Sequence, residues 1–250
     1  KIIFKIVLFD RMNSKVRLHF SNKLASGMVL KLSESQSHYL KNVVRLKNGD
    51  KISLFNSADG EWNAKILNQR NDFTEIKVEK LYRKQKQENN LWLAFSPIKK
   101  IAQDLILQKA TELGIQKFIP LICERSIVRE INIIRAKKII IEASEQSNRI
   151  SVPEFSKIQD LKSFIHTFPE NGRIIFCDIN SSSNNLKNIL SKKNPTCILI
   201  GPEGDFSEKE RQLLVDNKKT LSFSLADNIL RSETAAIAAI TILSYHLNQR

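Results

Sequence analysis

The alternation of apolar and polar residues divides the chain into two parts with different predicted architectures. In residues 15–83, short segments with a period of two predict strands, and one helical pattern covers residues 34–44. The predicted strands are 16–20, 29–32, 50–55, 61–67 and 73–81. Asp59-Gly60 lies between two of them as a hairpin signal. Short strands in regular succession predict a small β-barrel.

The second part of the chain alternates fully apolar runs with helical periodicity. The apolar runs predict buried strands at 91–95, 117–123, 173–178, 196–200 and 220–224. The helical patterns cover 101–113, 133–145, 161–168, 208–215 and 232–247. Alternating strands and helices predict an α/β domain with a parallel sheet, and such sheets bind ligands at the carboxyl ends of their strands.

Four segments follow from these patterns. They are an N-terminal extension at 1–14, a β-barrel domain at 15–83, a polar linker at 84–90 and an α/β domain at 91–250. The first ten residues lack a small-residue cleavage site, so no signal peptide is predicted. We expect Met12 to be the natural start and residues 1–11 to come from an over-long gene assignment.

Charge is the strongest compositional clue. The chain carries 40 basic and 26 acidic residues, a formal net charge of +14. This balance favours a polyanionic partner such as RNA or DNA, although a compositional bias towards Lys, Asn and Ile is an alternative cause. Cys123, Cys177 and Cys197 are odd in number and widely spaced, which predicts core residues in a reducing, cytoplasmic compartment and no metal site. No apolar run is long enough to cross a bilayer.

Two irregular segments follow two neighbouring predicted strands near the C-terminus. Gly201-Pro202-Glu203-Gly204 comes directly after the strand 196–200, and Ser207 and Glu210 have the spacing of a capping box. The loop 225–231 comes before a helix rich in alanine. The glycine segment alone fits an ordinary tight turn or an anion-binding nest, but it lacks the Lys and Ser/Thr of a P-loop.

Together with three earlier segments (108–114, 120–126 and 145–149), these loops resemble the RsmE family of SPOUT methyltransferases. That family methylates N3 of uridine in small-subunit (16S) ribosomal RNA. The resemblance implies a SPOUT-type parallel-sheet domain with a trefoil knot, preceded by a PUA-like β-barrel. It also implies S-adenosylmethionine as methyl donor, and 16S ribosomal RNA or the small ribosomal subunit as partner. A homodimer through the knot and the last helix is implied as well.

The resemblance also assigns roles to residues of the two loops. The predicted cofactor-binding residues are Ile200, Gly201, Pro202, Glu203, Gly204, Leu225, Ala226, Ile229, Leu230 and Arg231. Arg231 is the leading catalytic candidate, because a guanidinium beside a helix N-terminus suits developing negative charge. Glu203 and Glu233 are alternative proton acceptors, and Arg149 is placed in the pocket by resemblance alone. Cys177 and Asp178 are expected to border the cofactor.

Basic and aromatic residues on both domains are candidates for RNA contact. They are Arg17, His38, Tyr39, Arg45, Lys99, Lys109 and Arg125. Plain solvated surface is the alternative for each of them.

Three residues depart from the family pattern. Asp205 stands where a third glycine is usual, and Ala226 and Asn228 replace a Gly and an Arg of the second loop. Ala226 fits only if its φ is negative. These departures keep open a non-catalytic RNA-binding factor for ribosome assembly. A SPOUT-type transfer RNA methyltransferase is a further alternative.

Overall fold

The computed structural model describes residues 16–70, 72–181 and 191–248. The predicted extension at 1–14 and the expected start at Met12 lie outside the described residues. The chain divides into two compact units between Lys86 and Gln87, a point inside the predicted linker 84–90.

The first unit is built on a mixed five-stranded sheet. Its strands are β1 (Arg17–His19), β2 (Val29–Lys31), β3 (Lys51–Asn56), β4 (Gly60–Gln69) and β5 (Thr74–Arg83). Their order is β1-β3-β4-β5-β2, with β1 parallel to β3 and the other pairs antiparallel. Within the described ranges β1 and β2 are not paired with each other, so the predicted barrel is a sheet curved around one apolar core.

Two local signals determine the irregular parts of this unit. Gly60 has a φ of +88°, which the tight β3–β4 hairpin requires and which glycine adopts without strain. Helix α1 (Glu34–His38) begins at a capping box formed by Ser33 and Gln36. It continues as a π-helical turn (Tyr39–Val43), in which the Val44 N–H donates to the Tyr39 carbonyl at 3.0 Å.

The second unit contains an all-parallel seven-stranded sheet covered by helices. The strands are β6 (Leu91–Phe95), β7 (Lys117–Ile122), β8 (Glu154–Phe155), β9 (Gln159–Asp160), β10 (Arg173–Cys177), β11 (Thr196–Ile200) and β12 (Thr220–Phe223). The helices are α2 (Lys100–Glu112), α3 (Ile133–Gln146), α4 (Leu161–Thr167), α5 (Glu208–Val215) and α6 (Ser232–Asn248). The strand order is β12-β10-β11-β6-β7-β8, with β9 paired to β7. The predicted α/β architecture is confirmed, whereas the knot stays a prediction.

Both faces of this sheet are buried, and the central strand β11 shows why its sequence is continuously apolar. Ile198 and Ile200 belong to a core cluster that includes residues of α2 and α6. Cys197 and Leu199 belong to a second cluster that includes residues of α4 and α5. A strand covered on both sides has no solvent-facing positions, so every residue of β11 is buried. Because all strands are parallel, their carboxyl ends lie along a single edge, and the loops singled out in the sequence leave from that edge.

Candidate functional site

The first loop of the site, residues 201–206, is a tight turn directly after β11. The Asp205 N–H donates to the Pro202 carbonyl at 3.0 Å, and the Phe206 ring packs edge-on against Phe176 at 5.3 Å between centroids. Asp205 has a φ of +60°, the left-handed conformation that favours glycine. Its carboxylate accepts the Phe206 N–H at 2.7 Å, which offsets part of that cost. Asp205 therefore adopts the geometry expected of the glycine it replaces.

The two glycines of this loop are required by neighbouring protein groups. A Cβ at Gly201 would lie 2.7 Å from the Phe206 ring, closer than real contacts allow. At Gly204 a Cβ would lie 3.3 Å from both the Cβ and the carbonyl oxygen of Arg125. The sequence interpretation placed both glycines among the cofactor-binding residues. The structure adds a separate reason, which is the packing of the loop against Phe206 and Arg125.

The second loop runs from β12 to α6 and meets the first. The Ser232 hydroxyl donates to the Gly201 carbonyl at 3.4 Å, which joins the two loops directly. The Arg231 carbonyl accepts the Ala235 N–H at 2.8 Å, so Arg231 occupies the N-cap position of α6. Ala226 has a negative φ, as its substitution for glycine requires.

The charged candidates of this region have no protein partner. Within the described ranges, Arg231, Glu203 and Glu233 form no hydrogen bond or ion pair through their side chains. Arg231 and Glu203 are exposed, and Glu233 is half-buried in the first turn of α6. The N–H groups of residues 203 and 204 likewise donate to no protein acceptor in this part of the chain. The two loops thus present two backbone N–H groups without an acceptor, the Arg231 cation, and the carboxylates of Glu203 and Glu233.

The apolar candidates divide into buried and exposed positions. Ile200 is buried, and Leu225 packs against the core cluster of α2 and α6. Leu230 is half-buried, whereas Ile229 is 85 % exposed. Leu225 and Leu230 therefore supply the apolar surface beside the loops in this structure, and Ile229 projects outward.

Two further loops at the same edge contribute polar groups that the sequence interpretation missed. The Ser96 N–H after β6 donates to the Ile200 carbonyl at 3.2 Å. The Ser96 hydroxyl lies 2.7 Å from the Ser126 hydroxyl, which accepts the Cys123 N–H at 2.8 Å. Both serines are buried. Their position immediately after buried strands was the available signal, because that is where ligand sites of parallel sheets form.

Cys177 and Asp178, expected to border the cofactor, lie at the carboxyl end of β10: Cys177 is its last residue and Asp178 follows it. Burial raises the pKa of the Cys177 thiol to about 12, so this thiol is protonated near neutral pH. The buried Asp178 carboxylate pairs with Arg211 of α5 at 2.8 Å and also accepts the Asn180 N–H at 3.0 Å. Asp178 therefore ties β10 to α5.

Arg149 does not lie with the two loops. Its guanidinium donates to the Thr111 and Ile115 carbonyls at 2.7 and 2.8 Å, and to Glu88 and Ser151 at 2.8 Å each. These partners surround the amino ends of β6 and β7, opposite the carboxyl edge. Arg149 is only 8 % exposed, and burial lowers the pKa of its guanidinium while Glu88 opposes that shift. In this chain the contacts of Arg149 are structural and lie at the amino edge, away from the two loops, and its role in the pocket stays a prediction.

Arg17, predicted to contact RNA, is also buried and hydrogen-bonded within the protein. Its guanidinium makes two hydrogen bonds to Glu61, at 2.9 and 3.1 Å, and lies 4.4 Å from the centre of the Phe55 ring. Glu61 is fully buried and also pairs with Arg83 at 2.7 Å. A buried carboxylate needs such partners, so Arg17 compensates the charge of Glu61, and its contact with RNA stays a prediction.

The other candidates for RNA contact lie at the surface. His38, Tyr39 and Arg45 are exposed on and after α1, and Arg45 has a φ of +62°. Lys99 is exposed at the start of α2, whereas Lys109 is half-buried and pairs with Glu112 at 3.0 Å. Arg125 is exposed and donates to the Gly204 carbonyl at 3.3 Å, so it belongs to the loop cluster.

The residues that the structure describes contain no group of three His, Cys, Asp or Glu side chains able to hold a metal ion. None of the helices there has the length and apolar content that crossing a membrane requires.

Comparison with known families and structures defines the class of protein. The family model of an RNA methyltransferase domain matches residues 85–244, and that of an RNA methyltransferase PUA domain matches residues 32–76. A parallel-sheet α/β unit with a loop cluster at its carboxyl edge, preceded by a small β unit, is therefore the architecture of an RNA methyltransferase.

Individual relatives narrow this class. Ribosomal RNA small subunit methyltransferase E of Rickettsia conorii is 36 % identical, over 90 % of this chain and 93 % of that protein. The enzyme of the same name from Buchnera aphidicola subsp. Schizaphis graminum is 30 % identical, over 91 % and 94 %. The crystal structure of the Neisseria gonorrhoeae enzyme bound to S-adenosyl methionine has a TM-score of 0.85 and 26 % identity, covering 93 % of this chain and 98 % of that one. The chain belongs to the ribosomal RNA small subunit methyltransferase E family.

Proposed function

We propose that this protein transfers a methyl group from S-adenosylmethionine to N3 of one uridine in small-subunit (16S) ribosomal RNA. Family membership supports the donor and the RNA class, because the Neisseria enzyme and a Legionella pneumophila methyltransferase (26 % identical, TM-score 0.84) were both solved with this cofactor. The observation that carries the proposal in this chain is the joining of the two loops through Ser232 and Gly201.

The residues of the two loops fit the donor. It supplies an electrophilic methyl group, and its adenosine and amino-acid parts need hydrogen-bonding groups and apolar contacts. Residues 203 and 204 offer unpaired N–H groups, while Leu225 and Leu230 offer apolar surface. These residues hold the donor in our proposal. Ser96 stabilises the start of the first loop through its hydrogen bond to the Ile200 carbonyl, and its hydroxyl contacts Ser126 of the loop after β7.

Methylation at N3 requires removal of a weakly acidic proton and stabilisation of charge on the neighbouring uracil oxygens. Glu203 and Glu233 are the two carboxylates available as proton acceptor, because neither is engaged by another group in the described chain. Arg231 stands at the N-cap of α6, where the guanidinium and the helix dipole act in the same direction on an anionic oxygen. We propose that Arg231 stabilises that oxygen and that one of the two carboxylates takes the proton.

The RNA must present an unstacked base at this edge. The net charge of +14 supports attraction of a polyanion, and the exposed His38, Tyr39 and Arg45 offer stacking and phosphate contacts. Lys99 and Arg125 offer further positive charge on the catalytic unit. These five residues form the RNA-contacting set in our proposal.

A homodimer through α6 is part of the proposal. One side of α6 is buried by the chain itself at Ala236, Ala239, Ile240 and Leu243, while Tyr245 on another side is 62 % exposed. In an isologous dimer the same surface of each copy contacts its partner, so α6 needs a second face that its own chain does not bury. Sedimentation velocity should show a dimer for the wild type and a monomer for Tyr245→Arg. A wild-type monomer would contradict this part of the proposal.

The decisive test combines labelled donor with two RNA classes. Methyl transfer to small-subunit ribosomal RNA, with 3-methyluridine found by mass mapping, is the expected result. Transfer only to transfer RNA would favour the tRNA methyltransferase alternative. If calorimetry detects no S-adenosylmethionine binding at all, the non-catalytic assembly factor is favoured.

The three free thiols fit the cytoplasm, where we place this activity.

A further inference from the structure

The carboxylate of Glu210 connects two loops that are far apart in the sequence. Its Oε1 accepts the Glu124 N–H at 2.9 Å, from the loop after β7. Its Oε2 accepts the Ser207 N–H at 3.0 Å, at the end of the loop 201–206. Glu210 and Glu124 are separated by 86 positions, and the Glu210 side chain is buried, with 9 % of the residue exposed. Each carboxylate oxygen thus holds the backbone of a different loop.

Helix capping alone does not account for this arrangement. A capping box needs only the reciprocal pair between Ser207 and Glu210, and the Ser207 hydroxyl does accept the Glu210 N–H at 3.2 Å. The bond to Glu124 is additional and fixes the β7 loop. A buried carboxylate bonded to two N–H groups makes charge-assisted hydrogen bonds, which are stronger than neutral ones.

The contact at Glu210 is one of several contacts that hold the loop 201–206, to which we assign the methyl donor. At the start of that loop, the Ser96 N–H donates to the Ile200 carbonyl at 3.2 Å. In its middle, Arg125 lies against Gly204, with a hydrogen bond of 3.3 Å to the Gly204 carbonyl. Arg125 directly follows Glu124, so the position of Glu124 determines how Arg125 meets Gly204. Releasing Glu124 would therefore release the support of Gly204 as well.

We propose that Glu210 is a positioning residue for the methyl donor. By holding the Glu124 and Ser207 N–H groups together, it keeps the loop 201–206 in the conformation that binds S-adenosylmethionine. The inference rests on the proposed function, because it assigns the donor to that loop. Glu210 touches neither donor nor RNA in this account and acts through the loop.

The test compares two substitutions in the same helical turn. Glu210→Gln keeps the shape but replaces one acceptor oxygen with an amide NH2 group, which cannot accept from an N–H. Glu208→Gln removes the same charge from the first turn of α5 at an exposed position and is the matched control. Donor affinity by calorimetry and the separate KM values for donor and RNA are measured for wild type and both variants.

We expect Glu210→Gln to raise the Kd and the KM for S-adenosylmethionine by about tenfold, with the KM for RNA and kcat within about twofold of wild type. Glu208→Gln should match the wild type. Equal donor affinity in the two variants would overturn the positioning role while leaving the proposed function intact. A wild type that binds no donor would instead remove the proposed function itself, and this inference with it.

A measurement on the unaltered protein covers the case in which Glu210→Gln does not fold. Hydrogen exchange should show the Glu124 amide protected in the free protein and more strongly protected after S-adenosylmethionine is added. Exchange of the Glu124 amide at the rate of an open loop would overturn the proposal. So would protection that the donor leaves unchanged.

Discussion

Arg149 and Arg231 lie at opposite edges of the parallel sheet and differ in burial and in their hydrogen-bond partners. At the amino edge, Arg149 is buried and donates hydrogen bonds to two carbonyls, a carboxylate and a hydroxyl of the same chain. At the carboxyl edge, Arg231 is exposed and has no partner among the described residues. A guanidinium that already donates to four protein groups has little left to offer a substrate, whereas one without a protein partner at a helix N-terminus is available to an anion.

This difference separates groups that maintain the fold from groups available for chemistry. The ion pair of Arg149 with Glu88, whose side chain is 29 % exposed, lies within the second unit and fastens the residues before β6 to the turn after α3. The loops at the other edge are held by the Ser96 N–H, the Glu210 carboxylate and the Ser232 hydroxyl, and these contacts leave Arg231, Glu203 and Glu233 without a partner among the described residues. The predictions below test this division, beginning with the largest expected effect.

Arg149→Ala should lower the free energy of unfolding by about 3–5 kcal/mol, because breaking a buried pair leaves its partners uncompensated. Glu88 and the Thr111 and Ile115 carbonyls would lose a donor. Urea unfolding followed by circular dichroism measures the loss, with Lys138→Ala as an exposed control whose ion pair is loose. A change below about 1 kcal/mol together with lost methylation would return Arg149 to the catalytic set.

Arg231→Ala should reduce kcat by a factor of about 10²–10³, the usual effect of removing a group that stabilises developing charge. Its unfolding free energy should change by no more than about 0.5 kcal/mol, since the side chain has no partner to lose. Single-turnover methylation with labelled donor gives the rate. Unchanged methylation would remove Arg231 from the mechanism and undo the contrast with Arg149.

Gly201→Ala should destabilise the protein by about 1–3 kcal/mol and weaken donor binding, because the new Cβ would overlap the Phe206 ring. Gly204→Ala is the graded partner: its Cβ would lie 3.3 Å from Arg125, so a smaller shift and a smaller loss are expected. Thermal unfolding and calorimetry with S-adenosylmethionine measure both variants. The reverse order of effects would contradict the packing reason for these glycines.

Asp205→Gly should have the smallest effect, a gain of up to about 1 kcal/mol in stability, because glycine adopts positive φ without strain. Loss of the bond from the Asp205 carboxylate to the Phe206 N–H reduces that gain. Asp205→Ala keeps the unfavourable φ without the hydrogen bond, so it should be less stable than the wild type. Differential scanning calorimetry of the three proteins decides, and a destabilised glycine variant would contradict the strain argument.

Most elements of the fold could be predicted because their signals are local. Strands β6 and β11 occupy the predicted residues, since an unbroken apolar run of five identifies a strand buried on both faces. Helix α5 begins at the predicted capping box, whose donors and acceptors lie within four residues. The short strands β8 and β9 were missed, because two-residue strands carry no readable periodicity.

The candidate site was predicted only in part. The sequence alone indicated the two loops and Arg231, because glycines, a strand end and a helix start mark them locally. It also placed Arg149 and Arg17 among functional groups, and missed Ser96, Ser126 and Glu210. The partners that decide these roles are distant in the chain: Arg17 and Glu61 are 44 positions apart, and Glu210 and Glu124 are 86 apart.

The sequence by itself determined the order and type of the longer elements, the family, and the two loops to which we assign the donor. Those features depend on periodicity, caps and turns within a few residues of one another. Only the tertiary structure decided which charged side chains are saturated and which are free. That property depends on hydrogen-bond partners and burial, and both arise when segments far apart in the sequence come together in the fold.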